Sequence, residues 1–306
     1  MKHRVRPATW DDLHAIAELG RACDLRDWGS SAADEQDFRD DWNLPRMRMD
    51  TDTWVVEDVT GQAVGYAFVT TDPMGTEVKS IGLVHPDHRG RGIGSLLVEC
   101  VTARAREMVQ GHTGVLRVTA AGPDRAAVEL FTASGFRVAR SLQRMEASID
   151  TAASFEAASP EGVIIRGFQR ERDDRAVHAA LMEAFASHYG FSAEPFEEWS
   201  AVAFHRESFD PTLWFVAEAD GEIAGALVGV VRLDMGWIAD IGVRERWRRR
   251  GIGERLVRRS LESFRARGFR SVGLNVDPDN ETGAMRLYER LGFRFERRFD
   301  FYEKEL

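Results

Sequence analysis

Apolar and polar positions along this chain recur with two periods, near two and near 3.6, and their order predicts its elements. In the second half, residues 163–168 read as a strand, 172–188 as an amphipathic helix and 193–206 as a second helix. Residues 213–219 and 222–232 read as strands on either side of Asp220-Gly221, a pair that favours a tight hairpin turn. A strand over 237–243, a helix over 251–267, a strand over 271–276 and a helix over 280–291 follow, and 293–306 supplies one or two closing strands. The first half repeats the pattern with strands over 54–57, 63–70 and 78–84, a helix over 92–109, a strand over 115–119 and a helix over 125–134. Strands and helices mixed in this order predict an α/β fold, a sheet with helices on both faces.

The two halves also share residues. Arg89-Gly90-Arg91-Gly92-Ile93-Gly94 recurs 159 residues later as Arg248-Arg249-Arg250-Gly251-Ile252-Gly253. Leu130-Phe131 with Gly135-Phe136 recurs 157 residues later as Leu287-Tyr288 with Gly292-Phe293. A repeat of that length is a whole domain rather than a solenoid unit. Residues 151–162 are small and polar with one proline, too poor in apolar side chains to support a core, and read as a linker. The expected domains are therefore 1–150 and 163–306.

Composition narrows the function classes. Two domains suit 306 residues, and 43% hydrophobic with 30% charged residues is a globular composition. A net charge of −9 argues against a general nucleic-acid binder. No stretch approaches the roughly 20 apolar residues of a membrane span, and the first residues lack the apolar core of a signal peptide. Cys23 and Cys100 make neither a disulfide framework nor a zinc pattern, so no metal and a cytoplasmic location are expected.

The Arg-x-x-Gly-x-Gly string lies between an apolar strand and a long helix in both halves. Glycines there allow a sharp turn and close approach to main-chain N–H groups, which at a helix start form an anion site. A nucleotide phosphate loop would need Gly-x-x-x-x-Gly-Lys-Ser/Thr, which is absent, and a dinucleotide fingerprint would follow the first strand of its domain rather than the fourth. Of the arginines 244, 246, 248, 249 and 250, some are expected to meet phosphate and the rest solvent.

With Arg248 to Gly253, Asn280 and Leu287-Tyr288-Glu289-x-x-Gly292-Phe293 in this order, the chain resembles the GNAT superfamily of acetyl-CoA-dependent N-acyltransferases, in tandem form. The resemblance covers nearly the whole chain, twice. It implies two domains, each with a mixed, mostly antiparallel central sheet flanked by helices, and acetyl-CoA as cofactor. It implies that Ile241, Gly242 and Val243 line the pantetheine arm, that Arg248, Arg249, Arg250, Gly251, Ile252 and Gly253 surround the pyrophosphate, and that Asn280 and Tyr288 also touch the cofactor. Leu83, Val84, Arg89, Gly90, Arg91, Gly92 and Gly94 are the corresponding residues of the first half.

Acetyl transfer needs a neutral amine, a polarised carbonyl and a proton for the leaving sulfur. By the resemblance, the Val243 N–H polarises, Tyr288 gives the proton, and Asn280 bonds the pantetheine or a water. The first half has Pro123 and Phe131 where the second has Asn280 and Tyr288, and is expected to be non-catalytic, a coenzyme A holder or a structural partner. Family positions for a general base are occupied by Trp237 and Ala239, while Asp240 should point to the opposite face by strand alternation. A water chain, Glu197 or Glu198 is left for that task. Residues 188–191 and 194–199 are expected to select the acceptor, with Phe191, Phe196 and Trp199 equally suited to a core and His205 to a structural role. The expected partner is a small-molecule primary amine, and the expected assembly a monomer or homodimer. A protein or peptide N-acetyltransferase and a non-catalytic acetyl-CoA-binding regulatory module are the alternatives.

Overall fold

The computed structural model describes residues 3–109, 111, 113–122, 124–149, 160–280 and 282–306; Pro123 and most of the expected linker, 151–159, lie outside the described residues. In chain order the elements are β1 (Arg4–Arg6), α1 (Leu13–Trp28), α2 (Glu35–Trp42), α3 (Met49–Asp52), β2 (Thr53–Glu57), β3 (Ala63–Thr71), β4 (Glu77–Val84), α4 (Ile93–Met108), β5 (Val115–Ala121), α5 (Arg125–Ala133) and β6 (Arg137–Ser148). There follow β7 (Val163–Gly167), α6 (Asp174–Phe185), α7 (Phe196–His205), β8 (Phe215–Ala219), β9 (Glu222–Arg232), β10 (Met235–Val243), α8 (Ile252–Ala266), β11 (Ser271–Val276), α9 (Ala284–Arg290) and β12 (Arg294–Glu305).

Contacts divide the chain into two units, Met1–Leu142 with Arg297–Leu306, and Gln143–Glu296. In the first unit β1 to β4 form an antiparallel ladder, β4 runs parallel to β5 over Glu77–Ser80, and β12 lies antiparallel on β5. Helices α1 and α2 bury Ile16, Cys23, Phe38 and Trp42 in one core, while α4 buries Ile93, Leu97, Val101 and Ala105 in another. In the second unit β7 to β10 form the antiparallel ladder, β10 runs parallel to β11 over Gly236–Ile238, and β6 lies antiparallel on β11. Its core gathers Leu181 from α6, Trp199 from α7, and Leu256 and Phe264 from α8. The sheet neighbour of β5 is thus the last strand of the chain, and that of β11 is a strand preceding the linker. A period-two pattern says that a stretch is a strand and not which sheet edge it joins.

The repeat reaches the ion pairs. Arg6 on β1 holds Glu57 and Asp12, each at 2.7 Å, and Arg166 on β7 holds Glu218 at 2.9 Å and Asp173 at 2.6 Å. The hairpin turn has both central residues left-handed, Asp220 at φ 52° and Gly221 at φ 77°, as its sequence predicts. The expected start of α9 moves. Helix α9 begins at Ala284, not Asn280, because the Asn280 side-chain oxygen accepts from the Thr282 N–H at 2.8 Å and Gly283 is left-handed at φ 77°.

Candidate active site

The second unit opens at the end of β10. Its pairing with β11 stops at Ile238, leaving residues up to Val243 without a strand partner on that side among the described residues. Arg244 N–H donates to Ala224 on β9 at 2.9 Å, so by strand alternation the N–H groups of Val243 and Ile241 point the other way, toward the opening. Gly242 does something different from what the sequence suggests. Its N–H faces β9, and a Cβ there would lie 2.7 Å from that of Ala184, so glycine lets α6 approach the sheet.

The pairing of β9 with β10 slips by one residue between Ile238 and Asp240, so Ala239 has no partner of its own. The same ladder in the first unit, Gly65 opposite Val84 through Thr71 opposite Val78, is unbroken. Such a bulge re-aims the side chains beyond it. A Cβ on Gly236 would meet Phe264 of α8, whereas one on Gly242 would meet α6. Trp237 before the slip and Asp240 after it therefore both face α6. Asp240 does not point to the opposite face, because the alternation on which that expectation rests is interrupted at Ala239. Trp237 itself is buried, with the Arg144 and Arg232 guanidiniums 4.9 and 5.2 Å from its ring.

Beyond β10 the chain enters α8 through a loop with Arg249 left-handed at φ 62° and Gly251 at φ 80°. No side chain caps α8, and Arg255 N–H is the one that returns to Gly251. The N–H groups of Ile252, Gly253 and Glu254 thus open toward an anion with the helix dipole behind them. The arginines sort themselves by partner. Arg244 pairs with Glu183 and Glu222, and Arg246 with Glu222. Arg248 donates to the carbonyls of Val243 at 3.1 Å and Ala184 at 2.9 Å, pinning α6 to the end of β10. Its guanidinium is committed. Arg249 and Arg250 are exposed and have no ionic or hydrogen-bond partner among the described residues.

Tyr288 on α9 is buried, 5.7 Å from the Phe293 ring, and its hydroxyl has no hydrogen-bond partner among the described residues. Burial pushes its phenol well above the ordinary value, so it keeps its proton at neutral pH. Asn280 turns its amide nitrogen to His188 Nε2 at 3.2 Å, since its oxygen is taken by Thr282. His188, from the chain after α6, must then accept through Nε2. Burial first, and then the charge of Arg248, lowers its pKa, while Asp277 opposes. The histidine was expected only as part of an acceptor loop; its link to Asn280 carries no sequence signal. Of the other candidates, Glu197 pairs with Arg175 at 3.1 Å, Trp199 belongs to the core, and His205 Nδ1 lies 3.0 Å from the Ala201 carbonyl.

The first unit keeps the loop and has Phe131 where the second has Tyr288. Gly90 and Gly92 are left-handed at φ 74° and 82°, and His85 N–H donates to Val64, which aims the Val84 N–H away from β3. Leu83 packs on the α1 and α2 core, and Gly94 is held by Leu130, whose Cδ2 would lie 2.8 Å from a Cβ. The Val84 carbonyl accepts from Cys23 Sγ at 3.3 Å. Arg89, freed of that task, makes two 2.8 Å bonds to Asp27 and lies 3.5 Å from Asp124; Arg91 donates to the Asp87 carbonyl. Asp27 stands as far beyond Asp12 as His188 stands beyond Asp173. Phe131 packs between Phe136 at 5.7 Å and Tyr302 at 5.5 Å.

Comparison with known proteins identifies the family of the chain. Residues 176–293 match the acetyltransferase (GNAT) family and residues 50–138 an acetyltransferase (GNAT) domain. A mycothiol acetyltransferase of Thermomonospora curvata is 35% identical over 237 residues, covering 76% of this chain and 76% of its own. One of Streptomyces griseus is 33% identical over 241 residues, 77% of this chain and 74% of its own. The crystal structure of a GCN5-related N-acetyltransferase from Sphaerobacter thermophilus superposes with a TM-score of 0.84 at 29% identity, over 99% of this chain and 95% of that one. A tandem GNAT protein from the clavulanic acid biosynthesis pathway, at 18% identity, shares the fold with a TM-score of 0.74 over 99% of this chain and 98% of that one.

Proposed function

Because this chain belongs to the GNAT acetyltransferase family and is an acetyl-CoA-dependent N-acetyltransferase, we propose that its C-terminal half performs the transfer and that a primary amine of a small molecule is the acceptor. The observation that carries this reading is the pairing of a buried, protonated phenol at Tyr288 with an open strand edge at Ile241 and Val243; the first half has Phe131 in the phenol's place. Along the chain, residues 1–150 are then the non-catalytic half, 151–162 a linker and 163–306 the catalytic half, with the strand residues 143–148 packed in the second unit and 297–306 in the first.

Acetyl-CoA supplies the acetyl group as an activated thioester. The free N–H groups at the start of α8, with Arg249 and Arg250 beside them, suit its phosphates, and the edge of β10 suits an extended amide-bearing arm. With the thioester bound at this edge, the Val243 N–H would donate to the oxygen on which negative charge grows. Tyr288 holds a proton at Oη for the departing sulfur. Asn280, fixed between Thr282 and His188, holds the turn ahead of α9 in place.

The name carried by the relatives, mycothiol acetyltransferase, makes the amine whose acetylation yields mycothiol the first acceptor to test. The experiment is thiol release from acetyl-CoA over a panel of small amines and of peptides. Turnover with small amines, lost in Tyr288→Phe, is the expected result. Turnover with peptides alone would replace the acceptor class.

A further inference from the structure

A primary alkyl amine carries a proton at neutral pH and is no nucleophile until it loses it. Neither Trp237 nor Ala239 can take that proton. The unpaired Ala239 turns Asp240 onto the α6 face of β10, opposite Val228. There its carboxylate is half-buried and accepts no hydrogen bond from any described residue. The charges around this face are engaged elsewhere: the Arg144 and Arg232 guanidiniums lie over the Trp237 ring, and Arg144 also pairs with Glu296. On α6, Glu183 pairs with Arg244, Arg175 with Glu197 of α7, and His178 lies 2.8 Å from the Glu194 carbonyl. Glu198 of α7 is also partnered, and Arg206, just past that helix, is the charge whose field reaches Asp240. In the first unit the corresponding residue is Ile81, counted from the arginine loop. A carboxylate that no described residue engages is free to accept a proton, and titratable groups in such surroundings gather where chemistry is done.

We propose that Asp240 is the general base of the transfer, taking the proton from the acceptor ammonium, an assignment that rests on the C-terminal half being the working one. The proton passes from nitrogen to a carboxylate oxygen of Asp240 and then to solvent, and nitrogen keeps the electron pair with which it bonds the acyl carbon. Burial raises the Asp240 pKa above its ordinary 3.8, against the pull of Arg206, which makes the carboxylate a stronger base.

The test is Asp240→Asn, which keeps the shape and removes the base. At neutral pH kcat/KM should fall about 100- to 10,000-fold while acetyl-CoA affinity is unchanged. The deficit should shrink as pH rises and with an acceptor of low basicity such as hydrazine, because less of the amine then needs a base. A group whose folded pKa is raised opposes folding once it ionises, so the variant should also melt higher than the wild type at neutral pH and lose that advantage at acidic pH. A wild-type rate and pH profile in Asp240→Asn, with a slow Tyr288→Phe, overturns the assignment and leaves the proposed function standing. Wild-type rates in both variants overturn the proposed function and this inference with it.

Discussion

Gly251 and Gly253 stand two positions apart in one loop and are glycine for different reasons. Gly251 is left-handed at φ 80°, a conformation that costs a residue with a Cβ roughly 1–2 kcal/mol. A Cβ on Gly253 would lie 3.7 Å from Leu287 and 3.8 Å from Val243, which is ordinary contact. Gly251→Val should therefore weaken acetyl-CoA binding by about tenfold or more, and Gly253→Ala should leave it near wild type, as calorimetric titration will read. The free arginines allow a second contrast by the same method. Arg249→Ala or Arg250→Ala should each cost about tenfold in affinity, a loss that fades in high salt, because each removes a charge available to a phosphate. Arg244→Ala should cost little, its charge being spent on Glu183 and Glu222.

At the level of elements, the link between the end of α6 and the turn before α9 is His188 with Asn280. Its ring is held below the ordinary value of 6.5. Below that value the unfolded chain binds the proton that the folded one resists, so His188 lowers stability as pH falls. His188→Gln should remove part of the loss in melting temperature between neutral pH and pH about 5; an identical acid profile would remove the histidine from this role. The elements themselves were largely legible. The hairpin at Asp220-Gly221, both arginine loops and the strand at Ser271–Val276 follow from local periodicity and turn chemistry. The slip at Ala239 did not, because it depends on how β10 meets β9 and leaves no mark in the alternation of Trp237 to Val243. The start of α9 was misplaced for a local reason, the competition of the Asn280 side chain for the Thr282 N–H. The destination of Arg297–Leu306 is a pairing between distant segments, beyond the reach of any local pattern.

Over the whole molecule, the repeat places the same glycine loop at a helix start in both units, while the residues around the two loops differ. Gly90, Gly92 and the Val84 edge keep the cofactor geometry in the first unit. Native mass spectrometry at saturating acetyl-CoA should then find more than one equivalent per chain, and a limit of one would confine binding to the second unit. Turnover is a different matter, since Phe131 has no proton to give and Phe131→Tyr should change the rate little. The measurement that bears most directly on the division of labour is the transfer rate of Tyr288→Phe with a competent amine, taken beside its acetyl-CoA affinity. If the C-terminal phenol serves the leaving sulfur, kcat falls about 100- to 10,000-fold and affinity holds. A variant with full activity, in a protein whose activity instead disappears with Gly92→Val, would put the working site in the other half.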